Sequence, residues 1–340
     1  MTETGSAIAN VAPSSDPAGR TVAAGTTACL LCRSVTQVTL TGVFDNRLGT
    51  PGKYEIHRCV LCGLEQTHPL PSLTKLKELY ETHYNFGGER NTLYTRWRER
   101  FLFSSLYRFW TRLDGDPAFF HRRGTGRLLD VGCNEGRGLR MYADSGFEAE
   151  GLDLNERAAA VARQAGFLVH TSLLNEFQPV APYDVVALSN VLEHTLEPRQ
   201  MLLETSRILA REGQVWVSCP NSESWLRAAF GRSWINWHVP FHVSHFCQKT
   251  LCQLLAETGF QPIEIRQVSP ALWVAQSLIA HLFAEEGKKN QQLRSPFWVG
   301  VFMMFARFIL FPALWLGNVR GRGDCLLVVA TKTQKSVVHL

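Results

Sequence analysis

The stretch that most restricts the fold of this 340-residue chain is Arg127-Leu128-Leu129-Asp130-Val131-Gly132-Cys133-Asn134-Glu135-Gly136, followed by Gly151-Leu152-Asp153-Leu154. A short apolar run that ends in an acid and a glycine turn reads as a buried strand and the turn after it. A second such run ends in another acid about twenty residues on, which is the layout of a nucleotide site in a doubly wound α/β sheet. Gly132 and Gly136 let the backbone approach a ligand closely, because no Cβ stands in the way. Asp153 is then placed to accept the hydroxyls of a ribose.

The glycine spacing selects among nucleotide cofactors. A dinucleotide fingerprint runs G-x-G-x-x-G and seats a pyrophosphate on a helix N-terminus. Here the glycines fall at 132, 136 and 138, with Asn134 where the middle one would be. Asp130 precedes the turn, where it repels a pyrophosphate but attracts a cation such as a sulfonium carrying an ammonium group. The segment resembles motif I of the class I S-adenosylmethionine-dependent methyltransferases, and Asn134 is a departure from its usual glycine.

Further landmarks extend the resemblance over residues 125–332. Strand-like runs recur at 148–154, 167–172, 183–190, 213–220, 262–268 and 325–331, with helical patterns at 156–165 and 198–210 between them. Such alternation predicts an α/β fold with a parallel sheet covered on both faces. With the motif I strand the count is seven, matching the family's Rossmann-like, seven-stranded sheet. Tyr183 to His194 resembles its fourth strand and the loop after it, and 208–220 its fifth-strand unit, with Gly213 expected to stop the helix. The resemblance implies that Asp130 and Gly132 hold the methionine end, Gly136 the turn and Asp153 the ribose. Ser172 and Leu173 are expected to flank the adenine, and Asn190 to complete the cofactor site.

Cys29-Leu-Leu-Cys32 and Cys59-Val-Leu-Cys62 form two C-x-x-C knuckles, separated by 26 residues that contain glycines and Pro51. Four thiolates so spaced suit a tetrahedral, closed and therefore structural Zn2+ site on a hairpin; the competing reading is two redox pairs. His57 and His68 lie near, but four cysteines already complete a site. Nine cysteines and no signal peptide point to a reducing cytoplasm. Residues 1–28, nearly without large apolar side chains, and 333–340 are expected to be tails, the first disordered. Residues 29–87 are expected to form the ribbon-like module and a helix, with Thr74 its cap. A four-cysteine ribbon, a P-x-P turn, an L-Y helix and then a methyltransferase domain resemble a bacterial subgroup of sugar and polysaccharide-pathway methyltransferases.

Residues 88–124 bridge the two modules. From 88 to 127 the chain holds nine arginines and no lysine, with Tyr94, Trp97, Phe101, Trp110 and Leu113 near helical spacing. Three readings compete: a lid packed on the catalytic domain, contact with an anionic membrane, or RNA binding. Before the last strand, where the family needs only a short connection, an insertion at 270–317 has two apolar runs. The second, 296–317, is interrupted by Arg307 alone. The strand that follows must return to the sheet, so a hairpin dipping into one leaflet is expected, with Arg307 at the interface.

Methyl transfer to a hydroxyl also needs a proton acceptor. His194 follows the fourth strand, and His242 lies in Trp237-His-Val-Pro-Phe-His-Val-Ser-His-Phe246, which resembles a P-R-H-x-x-H-F segment of the subgroup with Phe241 replacing its arginine. Both are candidate bases, because an imidazole titrates near neutral pH. His194 as a helix cap and His245 as a packed core residue are the structural alternatives. The expected activity is methyl transfer to a small-molecule or lipid-linked saccharide in the cytoplasm, at the inner face of the membrane. An RNA methyltransferase and a scaffold without turnover are the rivals. Ser189-Asn190-Val191-Leu192 replaces the N-P-P-Y-type segment of base amino methylation, so nucleic acid is disfavoured.

Overall fold

The computed structural model describes residues 28–83, 100–101 and 104–333. The two expected tails, apart from Ala28 and Thr333, and Tyr94 and Trp97 of the arginine bridge lie outside them. The N-terminal part is a small antiparallel sheet of β1 (Thr36–Val43), β2 (Tyr54–Cys59) and β3 (Glu65–His68), so the interval between the knuckles is a hairpin. Helix α1 (Leu73–His83) follows; Ser72, not Thr74, caps it, its Oγ accepting from Lys75 N at 3.1 Å. Thr74 is two residues too late, inside the first turn.

The arginine-rich bridge contributes α2 (Ser105–Leu113). Beyond it lie β4 (Arg127–Val131), α3 (Arg137–Asp144), β5 (Glu148–Leu152), α4 (Glu156–Gln164), β6 (Val169–His170) and β7 (Tyr183–Ser189). The chain continues through α5 (Pro198–Ile208), β8 (Leu209–Pro220), α6 (Trp225–Phe230), β9 (Ser244–His245), α7 (Gln248–Glu257) and β10 (Phe260–Val268). It ends with α8 (Ala271–Phe283), α9 (Pro296–Phe308), α10 (Phe311–Val319) and β11 (Cys325–Lys332).

Seven strands form one sheet in the order β10-β11-β8-β7-β4-β5-β6. The expected sheet is present with one difference: β11 runs antiparallel to both β10 and β8, so the sheet is mixed. Alternate side chains of the central strands enter two cores. Leu129, Val131, Val186, Leu188 and Val217 face α5, α7 and the cysteine knuckles, whereas Leu128, Val185, Ala187 and Trp216 face Phe119 and Tyr142. Strands covered on both faces read as unbroken apolar runs, which is why the sequence exposes them so plainly.

Gly213 does not stop the helix before β8. The helix ends at Ile208, and Leu209 is already extended at φ −79° and ψ 143°. Gly213 instead sits in an irregularity of β8, between its pairings at Leu209 and Gln214. Here the tertiary pairing of Leu209 with Tyr183 overrides the local signal.

The first helix of the insertion is largely interior, whereas α9 and α10 are mostly exposed. In α8, Ala271, Val274, Ala275, Ile279 and Ala280 are buried, and Ala271 and Val274 join a third core with Trp234, Trp237 and the ribbon residues Val43 and Ile56. The apolar run 296–317 is two helices bent by 65°, and among the described residues no single helix is long and apolar enough to cross a membrane. Arg307 is not at an interface: it is buried and ion-paired with Asp114, and its Nη1 donates to Leu113 O at 3.0 Å. Asp114 also accepts from Trp110 Nε1 at 3.0 Å and Ala271 N at 3.2 Å, so one carboxylate ties α2, α8 and α9 together. Removing one partner strands the other's charge in a dry site. We therefore expect Arg307→Met to cost about 3–5 kcal/mol in urea unfolding, with Asp114→Asn restoring part of the loss.

Candidate active site

The cofactor candidates gather at the carboxyl ends of β4, β5, β6 and β7, where ligands bind open α/β sheets. Asp130 on β4 pairs with Gly151 on β5, one strand from Ala187 on β7. The turn after β4 needs left-handed backbone at Gly132 (φ 72°) and Gly136 (φ 77°), which side chains rarely adopt. A Cβ at Gly136 would also stand 2.6 Å from Ala162 Cβ, so that glycine lets the turn pack on α4. Asn134, at φ 50°, donates from Nδ2 to Gly132 O at 3.1 Å, and thereby tolerates the position of the family's glycine.

Asp153 holds the loop from the other side. Its Oδ2 accepts from Asn134 N and its Oδ1 from Asn155 N, both at 2.8 Å. Each oxygen retains a second lone pair for a hydroxyl. Asp130 is buried, and its carboxyl pKa is pushed up to about 8, first by that burial and then by Asp153 beside it. Two neighbouring acids that repel one another are a place for a cation. Beyond β6, Ser172 Oγ is buried without a hydrogen-bond partner among the described residues, and so is Asn190 Oδ1 after β7. Leu173 is half-exposed beside it. The acids, the orphaned polar atoms and the close turn together fit S-adenosylmethionine.

His194 and His242 meet, with ring centroids 4.5 Å apart. His194 closes a short 3-10 turn, Leu192–His194, and stands on the loop that carries Asn190. Its Nδ1 lies 3.1 Å from Phe241 O and 2.7 Å from the hydroxyl of Tyr80 on α1. His242 Nδ1 lies 2.8 Å from Asn236 O. Desolvation lowers the pKa of both, that of His194 to about 4. His245 is a packed core residue, with Nε2 3.0 Å from Thr67 Oγ1. Sequence reasoning passed over Glu193, which is fully buried with neither carboxyl oxygen hydrogen-bonded among the described residues; burial pushes it up to about 8. The adjacent Glu193-His194 pair after an apolar strand was the available signal. Tyr80 carried none, because its partner is 114 residues away.

The four knuckle cysteines converge. Cys29 and Cys62 Sγ are 3.6 Å apart, Cys32 and Cys59 Sγ 3.4 Å, and all four lie within 4.8 Å of one another. A tetrahedron with Zn–S near 2.3 Å needs edges of about 3.8 Å, so the cage fits that ion. The rings of His57 and His68 meet at a tilt of 36°, with centroids 4.5 Å apart, and lie outside the cluster. The knuckles are fused to the segment that carries His242. Strand β3 pairs with β9, and Thr67 Oγ1 donates to His242 O at 2.6 Å. Val243 N donates to Glu193 O at 2.9 Å.

The sequence model of a methyltransferase domain matches residues 94–265, just over half of the chain. The chain belongs to this methyltransferase-domain family. The match spans β4 to β9 and most of β10, and leaves out the cysteine knuckles and the helical insertion. A ubiquinone biosynthesis O-methyltransferase of Cronobacter sakazakii is 29% identical over 154 residues, covering 42% of this chain and 63% of that one. A probable S-adenosylmethionine-dependent methyltransferase of Mycolicibacterium smegmatis is 32% identical over 144 residues, 42% of this chain and 54% of its relative. The chain thus spans between half and two thirds of these curated relatives. Among solved structures, the 1,6-didemethyltoxoflavin-N1-methyltransferase of Burkholderia thailandensis, bound to S-adenosylhomocysteine, aligns with a TM-score of 0.45 and 14% identity. That alignment covers 83% of this chain and 96% of the other.

Proposed function

We propose that this methyltransferase-domain protein uses S-adenosylmethionine to methylate a hydroxyl of a small, saccharide acceptor, lipid-linked in its native form. The observation that carries this reading is the meeting of two sets of residues at one sheet edge. Asp130, Asp153, Ser172 and Asn190 suit the methyl donor, and Glu193, His194 and His242 lie on the adjoining loop and beside it. When bound, the donor supplies an electrophilic methyl on sulfur. The chain's own task is to align it with the acceptor oxygen, and positioning of this kind is worth several kcal/mol. Relatives named as O-methyltransferases support oxygen as the atom methylated.

The lipid part of the reading rests on α9 and α10, where Phe297, Phe308, Ile309, Trp315 and Val319 are exposed. Exposed apolar residues of this number on two successive helices suit one leaflet of a membrane. The four cysteines carry a structural Zn2+ in the same proposal. The test is transfer of labelled methyl from S-adenosylmethionine into a native extract, followed by solvent partition. Label in the organic phase supports a lipid-linked acceptor, and nuclease-resistant aqueous label restricts the acceptor to soluble sugars. Nuclease-sensitive label replaces the proposal with RNA methylation. Expressed protein found wholly in the supernatant of cell membranes would remove the membrane contact.

A further inference from the structure

The Glu193, His194 and His242 cluster has a property that a proton relay does not need. One ligand atom from each residue falls within 4.8 Å of the other two, the spacing of groups around a single ion. Each imidazole has Nδ1 against a backbone carbonyl, Phe241 O for His194 and Asn236 O for His242. A ring that donates Nδ1–H to its carbonyl presents Nε2 as the coordinating nitrogen, the usual outer support of a metal-binding histidine; at His194 the Tyr80 hydroxyl, 2.7 Å from Nδ1, shares that contact. Glu193 supplies the independent observation: a carboxyl 1% exposed, with both oxygens lacking a hydrogen-bond partner among the described residues. An orphaned buried carboxyl is costly, and a cation removes the cost.

We propose that Glu193, His194 and His242 bind one divalent transition-metal ion beside the methyl-donor site, separate from the ion of the four cysteines. Two imidazoles and one carboxylate suit Zn2+, Co2+ or Mn2+ better than Mg2+, which prefers oxygen and keeps its water. Three protein ligands leave positions open, as at catalytic rather than structural sites. The location suits an acceptor. Val191, two residues before Glu193, abuts Gly132 of the donor turn, with its Cγ2 3.0 Å from where a Cβ would stand. His194 is the member of the cluster that is not fully buried. An acceptor oxygen bound to the ion becomes more acidic and releases its proton to solvent. That last step rests on the hydroxyl-acceptor reading above; the ion itself does not.

The test is titration of metal-stripped protein with Co2+. Wild type should bind two equivalents. One shows the intense charge-transfer absorption of thiolate ligands, and the other shows only weak visible bands. Glu193→Gln, which keeps the side chain's shape, and His242→Ala should each leave the thiolate signal intact. Both should weaken the second equivalent more than about 100-fold, beyond the 10- to 100-fold typical of outer-shell changes. Retained S-adenosylmethionine affinity shows that the variants are folded. A wild type that binds cobalt only at the thiolates overturns the proposal, and so do variants that keep the second equivalent. A second equivalent in a protein that methylates no hydroxyl would leave the ion standing and remove the acceptor step alone.

Discussion

Asp130→Asn should weaken S-adenosylmethionine binding at pH 8 by about 30- to 160-fold, and the loss should shrink as the pH falls. The magnitude is that of one charge-assisted contact, roughly 2–3 kcal/mol, converted to affinity. The pH dependence follows from the state of the carboxyl. Burial and Asp153 push Asp130 up to about 8 in the free protein, so below that pH the group is mostly protonated. A cationic ligand needs it ionised, so binding must expel a proton. Wild-type affinity should therefore rise about tenfold per pH unit from 6 toward 8 and then level off. A raised carboxyl pKa also means that the folded free protein holds the proton more tightly than the unfolded chain. Its contribution to stability is full at low pH and is lost as pH rises toward 8, and the ligand restores it. Calorimetry in buffers of differing ionisation heat measures the proton directly. A pH-independent affinity in wild type would show that Asp130 does not face the donor.

Cys59→Ser together with Cys62→Ser should remove one equivalent of zinc and abolish methyl transfer, although these two cysteines lie on the ribbon and Asp130 and Asp153 on the large sheet. Structural zinc contributes folding free energy outright, about 10–16 kcal/mol in isolated finger peptides, so the knuckles should not hold without it. The damage reaches the active site through β3. Its Glu65 and Gln66 pair with His245 and Ser244, and Thr67 holds His242 O and Val243 O. Val243 in turn holds Glu193 O. Loss of the ribbon thus releases the loop that presents His242 and Glu193. Donor binding should survive better than turnover, because Asp130, Asp153 and Ser172 hang on strands of the large sheet. Elemental analysis, donor titration and methyl-transfer rates on the same preparation separate these effects. Equal losses of donor affinity and turnover would point instead to global unfolding.

Much of this molecule was readable in the chain because its strongest signals are local. The strand, acid and glycine turn at 127–136 lie within ten residues, and the knuckles need only their own spacing. The long apolar runs of β4, β7 and β8 follow from burial on both faces. Where the reading failed, a distant partner had intervened. Gly213 looked like a helix stop until Leu209 paired with Tyr183, and Arg307 looked interfacial until Asp114 met it. Helix α8 looked like half of a membrane hairpin, but Trp234, Trp237 and the ribbon strands cover it.

The sequence by itself therefore determined the α/β class, the seven strands, the acid-and-glycine turn after β4 and the four-cysteine knuckle pairs. Each is set by periodicity, turn chemistry or ligand spacing within one short segment. Only the tertiary structure decided that β11 runs antiparallel, that the ribbon sheet is completed by β9, and that Glu193 joins His194 and His242. These depend on contacts between residues tens to hundreds of positions apart, where the free energy of burial and pairing is shared among segments that carry no mutual signature.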